Sequence, residues 1–187
     1  MTTAIRASDG ALSPRIAIGT PAETITYGIG QSSLGTVLVA RGGAGVCAVS
    51  IGSASRELVD DLANQFSDAS LAWDDAKLAK DIRKIVNFID DPKSTPDFLI
   101  DVRGTEFQKR VWDVLLRVPA GKTITYAALA ARVGNTKAIR AVASACAANA
   151  IALAIPCHRV IRSDGTLSGY RWGIEAKRAL LAREAVA

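Results

Sequence analysis

Apolar positions in the first half of the chain fall into two successive periods. Between residues 24 and 51 they form short β-like runs, TITYGI, TVLVA and GVCAVSI, rich in β-branched residues. RGGAG at 41–45 separates the last two as a hairpin loop; it is too short and featureless for a phosphate-binding loop. The period then lengthens to that of a helix. Leu58, Leu62 and Phe66 share one face over 55–66, and Leu78, Ile82, Ile85, Val86 and Ile89 share one over 76–90. Asp90-Asp91-Pro92 stops the second helix, and FLIDV at 98–102 predicts another strand. Residues 1–22 are small, polar and punctuated by proline, and read as a flexible tail or linker. Residues 23–100 thus form a small α/β unit without a catalytic constellation, in which Cys47 sits in an apolar strand as a packing residue.

From residue 101 the pattern is helical. Thr105 and Gln108 have the spacing of a capping box, opening a helix that would bury Phe107, Val111, Trp112 and Leu115. Pro119-Ala120-Gly121 ends it. Thr125 is placed to cap YAALAARV, Gly134 to close it, and Asn135 or Thr136 to open TKAIRAVASACAAN. Two short helices joined by a Gly-containing turn match a helix-turn-helix, and equally a simple packing pair. In the second helix Ile139, Val142 and Cys146 are expected to face inward, leaving Ala, Ser and Arg140 on the other faces. A surface with so little bulk suits close approach to a nucleic-acid groove.

Composition narrows the picture. The chain has 187 residues, 49% hydrophobic and 22% charged, which is ordinary for globular domains. It holds no apolar run of membrane-spanning length and no signal-peptide pattern, so a cytoplasmic address is expected. Three widely spaced cysteines argue against a disulfide framework, and with one histidine, His158, no Cys/His cluster suggests a zinc site. Charge is uneven: residues 1–100 carry 9 Lys and Arg against 12 Asp and Glu, and residues 101–187 carry 14 against 6. A basic C-terminal half is what a polyanion would meet, although a solvated basic surface has the same composition.

The densest chemistry lies in NAIALAIPCHRVIRSDG, residues 149–165. A buried apolar run ends at Pro156, and Cys157 follows with the chain's single imidazole beside it. A thiol is only a few per cent ionised at neutral pH, so a nucleophilic cysteine needs a base or a cation, which His158 and Arg159 supply. From these residues alone, an inert buried cysteine beside a satisfied histidine is an equal reading.

PCHRV at 156–160 resembles the active-site signature of the O6-alkylguanine-DNA alkyltransferases. The similarity continues through FQKRVWDVLLRVPAGKTITYAALA, KAIRAVASACAAN, SDGTLSGYRWG and KRALLAREA, over about residues 101–185, and is strongest to the methyltransferase half of the Ada type. The resemblance implies an α/β (α+β) fold: a ribonuclease-H-like domain at 23–100 and a mainly helical, DNA-binding domain at 101–187. It implies that Cys157 accepts the alkyl group, that His158 draws off the thiol proton through a water, and that Glu184 orients the imidazole. Asn149 would be the hinge that presents the thiol, and Tyr126 the proton donor to the departing guanine. By their own residue types, Glu184 reads as a surface helix residue, Asn149 as a helix C-cap and Tyr126 as a packing aromatic. Arg140 would enter the stack in place of the flipped nucleotide, a step required because the O6 substituent faces into the duplex. Asn135 and Ala138 would contact DNA, and Val160, Ser163, Tyr170, Arg171 and Trp172 would line the base pocket. Arg171 stands where some relatives have serine. No cofactor is implied; the partner would be double-stranded DNA carrying O6-alkylguanine, with O4-alkylthymine as a further candidate, and the protein would act as a monomer. Ada's four-cysteine zinc domain and its AraC-like domain have no counterpart in these 187 residues, so phosphotriester sensing and gene activation are not implied. Three other readings compete. A lesion-binding protein without chemistry would lack the acceptor cysteine. A helix-turn-helix regulator would need more side chains to read base edges, and a thiol hydrolase would need a route to release its intermediate.

Overall fold

A computed structural model describes residues 15–17, 24–91 and 97–186, and the chain divides into two units, Met1–Arg103 and Gly104–Ala187. The division falls close to the composition change at residue 101. No helix among the described residues is long and apolar enough to cross a membrane.

The first unit is a six-stranded mixed sheet carrying two helices. Its elements are β1 (Arg15–Ala17), β2 (Thr24–Ser32), β3 (Gly35–Arg41), β4 (Val46–Gly52), α1 (Ser55–Gln65), β5 (Ser70–Trp73), α2 (Asp75–Asp90) and β6 (Leu99–Asp101). The spatial order is β1-β6-β4-β3-β2-β5. β2, β3 and β4 form an antiparallel meander, and β1, β6 and β5 add in parallel at its sides. The short β-like runs become the buried centre of this sheet: Val37, Leu38, Val39, Val46, Ala48 and Val49 are all fully buried. Helix α2 lies tightly on β2 because Gly28 and Gly30 have no side chain; a Cβ on either would meet the Ile82 side chain within 2.9 Å. The Asp75 carboxylate, in the first turn of α2, accepts from the Ile29 amide at 2.8 Å.

Two expectations need correction here. Residues 15–17, read as part of a flexible tail, form β1 and pair in parallel with β6, Ile16 opposite Ile100; residues 1–14 and 18–23 lie outside the described residues. Strand β5 was not expected, since four residues give too short a pattern to distinguish from a loop.

The second unit contains α3 (Glu106–Leu116), β7 (Ile124–Thr125), α4 (Tyr126–Arg132), α5 (Ile139–Ala147), a 3-10 turn (Cys157–Arg159), β8 (Val160–Ile161) and α6 (Ile174–Val186). The capping box forms: the Gln108 amide donates to the Thr105 hydroxyl at 3.2 Å, and the Thr105 amide to the Gln108 side chain at 2.8 Å. Val111, Trp112 and Leu115 are buried, and the Trp112 indole N–H donates to the Ala145 carbonyl at 2.9 Å, fixing α3 against α5. Phe107 is only half-buried and lies under the Arg110 guanidinium. Thr125 caps α4 as its sequence predicts, and Gly134 ends the helical turn with φ +90°. Helix α5 begins later than the pattern suggested. Asn135 first closes a turn, accepting from the Lys137 amide through its side chain and from the Ala138 amide through its carbonyl. Ile139 therefore occupies an exposed first turn at 42% exposure instead of facing inward, while Val142 and Cys146 are buried.

Candidate active site

The apolar run before the cysteine is not a strand. Residues 151–155 are buried in a series of tight turns in which Leu153 has φ +62°, the only non-glycine residue among those described with positive φ. A left-handed leucine costs about 1–2 kcal/mol and persists only where its surroundings fix it. Asn149 does the fixing. Its side-chain oxygen accepts from the Ile151 amide at 2.9 Å, and its amide nitrogen donates to the Ile155 carbonyl at 2.9 Å. Pro156 (φ −81°, ψ 60°) is the centre of an inverse γ-turn, with the Cys157 amide bonded to the Ile155 carbonyl at 2.8 Å. The thiol therefore projects from an over-determined backbone. Asn149 Nδ2 also donates to Cys157 Sγ at 3.1 Å, a bond that favours the anionic form.

Burial dominates nonetheless, pushing the Cys157 thiol up to about 11 against the Asn149 hydrogen bond and the Lys177 charge. The resting sulfur holds its proton, and a base must take it at the moment of reaction. Next to it, burial also holds His158 neutral. His158 Nε2 bonds Glu184 Oε1 at 2.8 Å, so Nε2 carries the hydrogen and Nδ1 presents its lone pair. Nδ1 is buried without a hydrogen-bond partner among the described residues. Glu184 is kept ionised, its carboxyl down at about 2 although burial opposes this, by His158 and by a fork from Arg159: Nη2 to Oε1 at 2.7 Å and Nε to Oε2 at 3.0 Å. The Gly121 amide adds a contact to Oε2 at 3.3 Å; Gly121 has φ +72°, and a Cβ there would meet the Glu184 carbonyl at 3.0 Å.

A cavity of about 550 Å³ opens over the sulfur, within the range of roughly 300–1,000 Å³ typical of small-molecule sites. Cys157, Tyr126, Arg140, Tyr170 and Arg171 all line it. The parallel pairing of β7 with β8 sets Tyr126 at the wall, because Ile124–Thr125 leads into α4 while Val160–Ile161 leads away from the thiol. The Tyr126 hydroxyl and Ser168 Oγ are 2.7 Å apart, and burial raises the phenol above its ordinary value, keeping it a proton donor. Arg140 is exposed at the mouth and has no hydrogen-bond or ion-pair partner among the described residues. The buried Tyr170 hydroxyl also has no partner there.

Other residues singled out in the sequence stand off the wall. Val160 is fully buried in β8, Ser163 is exposed in the turn beyond it, and Trp172 packs edge-on against Tyr170 with centroids 5.1 Å apart. Asn135 and Ala138 belong to the turn before α5.

Lys177 was not anticipated. It is 0% exposed, and its Nζ donates to the Val160 carbonyl at 2.6 Å and reaches the Ser168 carbonyl at 3.5 Å. Burying an ammonium costs several kcal/mol unless something compensates. Here two carbonyls compensate; burial still holds the lysine below its ordinary value, and negative charge on Cys157 or Cys146 would oppose that. Lys177 thus joins the strand after the thiol to the loop holding Tyr126's partner, and places a cation where a thiolate would form. The available signal was its spacing: Lys177, Leu180 and Glu184 share one face of α6.

The family model for the 6-O-methylguanine DNA methyltransferase DNA binding domain matches residues 106–186. The chain is 44% identical over 164 residues to the bifunctional transcriptional activator/DNA repair enzyme Ada of Escherichia coli, covering 86% of this chain and 46% of that protein. It spans about half the length of the first relatives it matches. It is 34% identical to the methylated-DNA–protein-cysteine methyltransferase of Candida albicans, over 75% of this chain and 85% of that one. Among solved structures, Mycobacterium tuberculosis OGT in complex with DNA superposes with a TM-score of 0.73 at 32% identity, covering 86% of this chain and 93% of that one. The chain belongs to the methylated-DNA–protein-cysteine methyltransferase family.

Proposed function

We propose that this chain repairs alkylated DNA by moving the alkyl group from guanine O6 onto Cys157, once and irreversibly. The observation that carries this reading is the buried thiol of Cys157, at the floor of a base-sized cavity and beside a neutral imidazole whose Nδ1 lone pair is unclaimed. The flipped base enters the cavity. His158 takes the thiol proton through a water, and the sulfur attacks the alkyl carbon as the C–O bond to guanine breaks. Tyr126, kept protonated by burial, donates to the departing guanine. Lys177 and the Asn149 amide stabilise the sulfur anion while it exists. The thioether formed has no leaving group, so the protein is spent.

The partner is a duplex carrying O6-alkylguanine, met by the basic C-terminal unit of a monomeric protein. Arg140 fills the gap left in the stack. Asn135 and Ala138 face the backbone from the turn before α5, and Tyr170 and Arg171 border the base, with Trp172 packed behind Tyr170.

Two results test this reading. Repair of an O6-methylguanine duplex, followed by recovery of a restriction site, proceeds without added cofactor and stops at one lesion per protein molecule. Continued turnover would sink the reading. Arg140→Ala lowers the repair rate on duplex DNA by about tenfold or more, consistent with the few kcal/mol of unstacking its side chain offsets, and on single strands much less. Equal losses on both substrates would remove Arg140 from base flipping.

A further inference from the structure

The cavity contains a second thiol. Cys146 ends the buried face of α5, lines the same cavity as Cys157 and is 7% exposed, and its thiol has no hydrogen-bond partner among the described residues. Nothing in methyl transfer uses it. A methyl thioether is inert, but not every O6 substituent ends as one. When the transferred group carries its own leaving group two carbons from the sulfur, the new thioether is a half-mustard. It expels the leaving group by neighbouring-sulfur attack and becomes a strained, strongly electrophilic ring.

We propose that Cys146 is the second nucleophile of this cavity and seals such a group as a two-carbon bridge between Cys146 Sγ and Cys157 Sγ. This rests on Cys157 being the alkyl acceptor. For an O6-(2-chloroethyl)guanine lesion, the first step forms the bond from Cys157 sulfur to carbon, breaks the carbon–oxygen bond, and returns the thiol proton to guanine. In the second step the carbon–chlorine bond breaks, the Cys146 sulfur–carbon bond forms, and chloride departs with the Cys146 proton. No oxidant and no cofactor are needed.

Three features favour the second step. Cys146 and Cys157 line one cavity, so the encounter is intramolecular, and groups held this way react as though at very high concentration. An ethylene span also tolerates sulfur separations that a direct disulfide, with its narrow geometry, does not. The electrostatics change in the right direction as well. Burial first, and then the negative charge that Cys157 would carry as a thiolate, hold the Cys146 thiol up at about 12, while Lys177 opposes them. Once alkylated, Cys157 can no longer ionise, so this competing charge is ruled out while Lys177 stays in place.

The test uses the full chain and a freshly made duplex containing O6-(2-chloroethyl)guanine, with an O6-methylguanine duplex in parallel. Trypsin releases both cysteines in one peptide, residues 141–159, flanked by Arg140 and ending at Arg159. The expected product is this peptide with a net gain of two carbons and two hydrogens and no thiol left to react with iodoacetamide, exceeding the open hydroxyethyl form by about tenfold. Cys146→Ala should yield only the hydroxyethyl peptide or a link to DNA. Wild-type protein carrying an open hydroxyethyl group on Cys157, with Cys146 still reactive, would overturn the bridge and leave the acceptor role intact. Failure to methylate Cys157 in the parallel reaction would instead remove the repair reading, and the bridge with it.

Discussion

Cys157→Ala is expected to leave every O6-methylguanine in place, however much protein is added, while binding of the lesion duplex changes little. In the proposed mechanism the sulfur forms the new bond, and the one other thiol on the cavity wall, Cys146, is held more firmly protonated, up at about 12. The backbone that presents residue 157 does not depend on the sulfur. Asn149 keeps its bonds to Ile151 and Ile155, and the γ-turn at Pro156 is made by main-chain atoms. Arg140, Tyr126 and Arg171, which border the cavity, are untouched. Restriction-site recovery and an electrophoretic binding assay on the same variant separate the two effects. Slow repair by the alanine variant would show that another group accepts the alkyl.

Glu184→Gln should cost both stability and rate. The carboxylate side chain is 8% exposed and receives His158 and the Arg159 fork at once. A neutral amide has one acceptor atom where two oxygens are now used, and it leaves the Arg159 guanidinium without its counter-charge. Breaking a buried pair from one side typically costs about 3 kcal/mol, visible as a lower urea midpoint. The imidazole also loses the anion that sets its tautomer and raises its basicity, so transfer slows by about 100-fold, in the range expected of a general base.

The pH response follows from the same groups. Glu184 titrates in the folded protein at about 2 and in the unfolded chain near 4.5, so its contribution is complete above 4.5 and is lost as pH falls towards 2. His158 is held below its ordinary value of 6.5, so acidification below 6.5 also favours the unfolded chain, which takes up the proton more readily. Both act in one direction. Wild-type stability should fall on acidification in two stages, and the glutamine variant should lack the stage below 4.5. A variant with unchanged rate, midpoint and acid profile would remove Glu184 from the account.

How far the sequence anticipates this arrangement depends on distance along the chain and on element length. Cys157 and His158 are adjacent, and Pro156 and Asn149 lie within eight residues, so local chemistry marks them. Glu184 is 26 residues from His158 and meets it only because α6 returns across the thiol turn; no periodicity reveals that, and only the resemblance pointed there. Lys177 was passed over, despite its spacing with Leu180 and Glu184, because an isolated lysine on a helix is by default a surface residue. The β-branched runs of β2, β3 and β4 and the helical faces of α1 and α2 were legible. Strands β1, β7 and β8, of two or three residues, depend on partners far away in sequence. Ile139 misled because its phase matches Val142 and Cys146 while its position in the first turn leaves it uncovered.

The most direct measurement is the mass of the peptide 141–159 after the protein has been mixed with an equimolar O6-methylguanine duplex. The account predicts a gain of one methylene, placed by fragmentation on Cys157, in proportion to the guanine restored. Guanine restored in the duplex while this peptide keeps its original mass would contradict it.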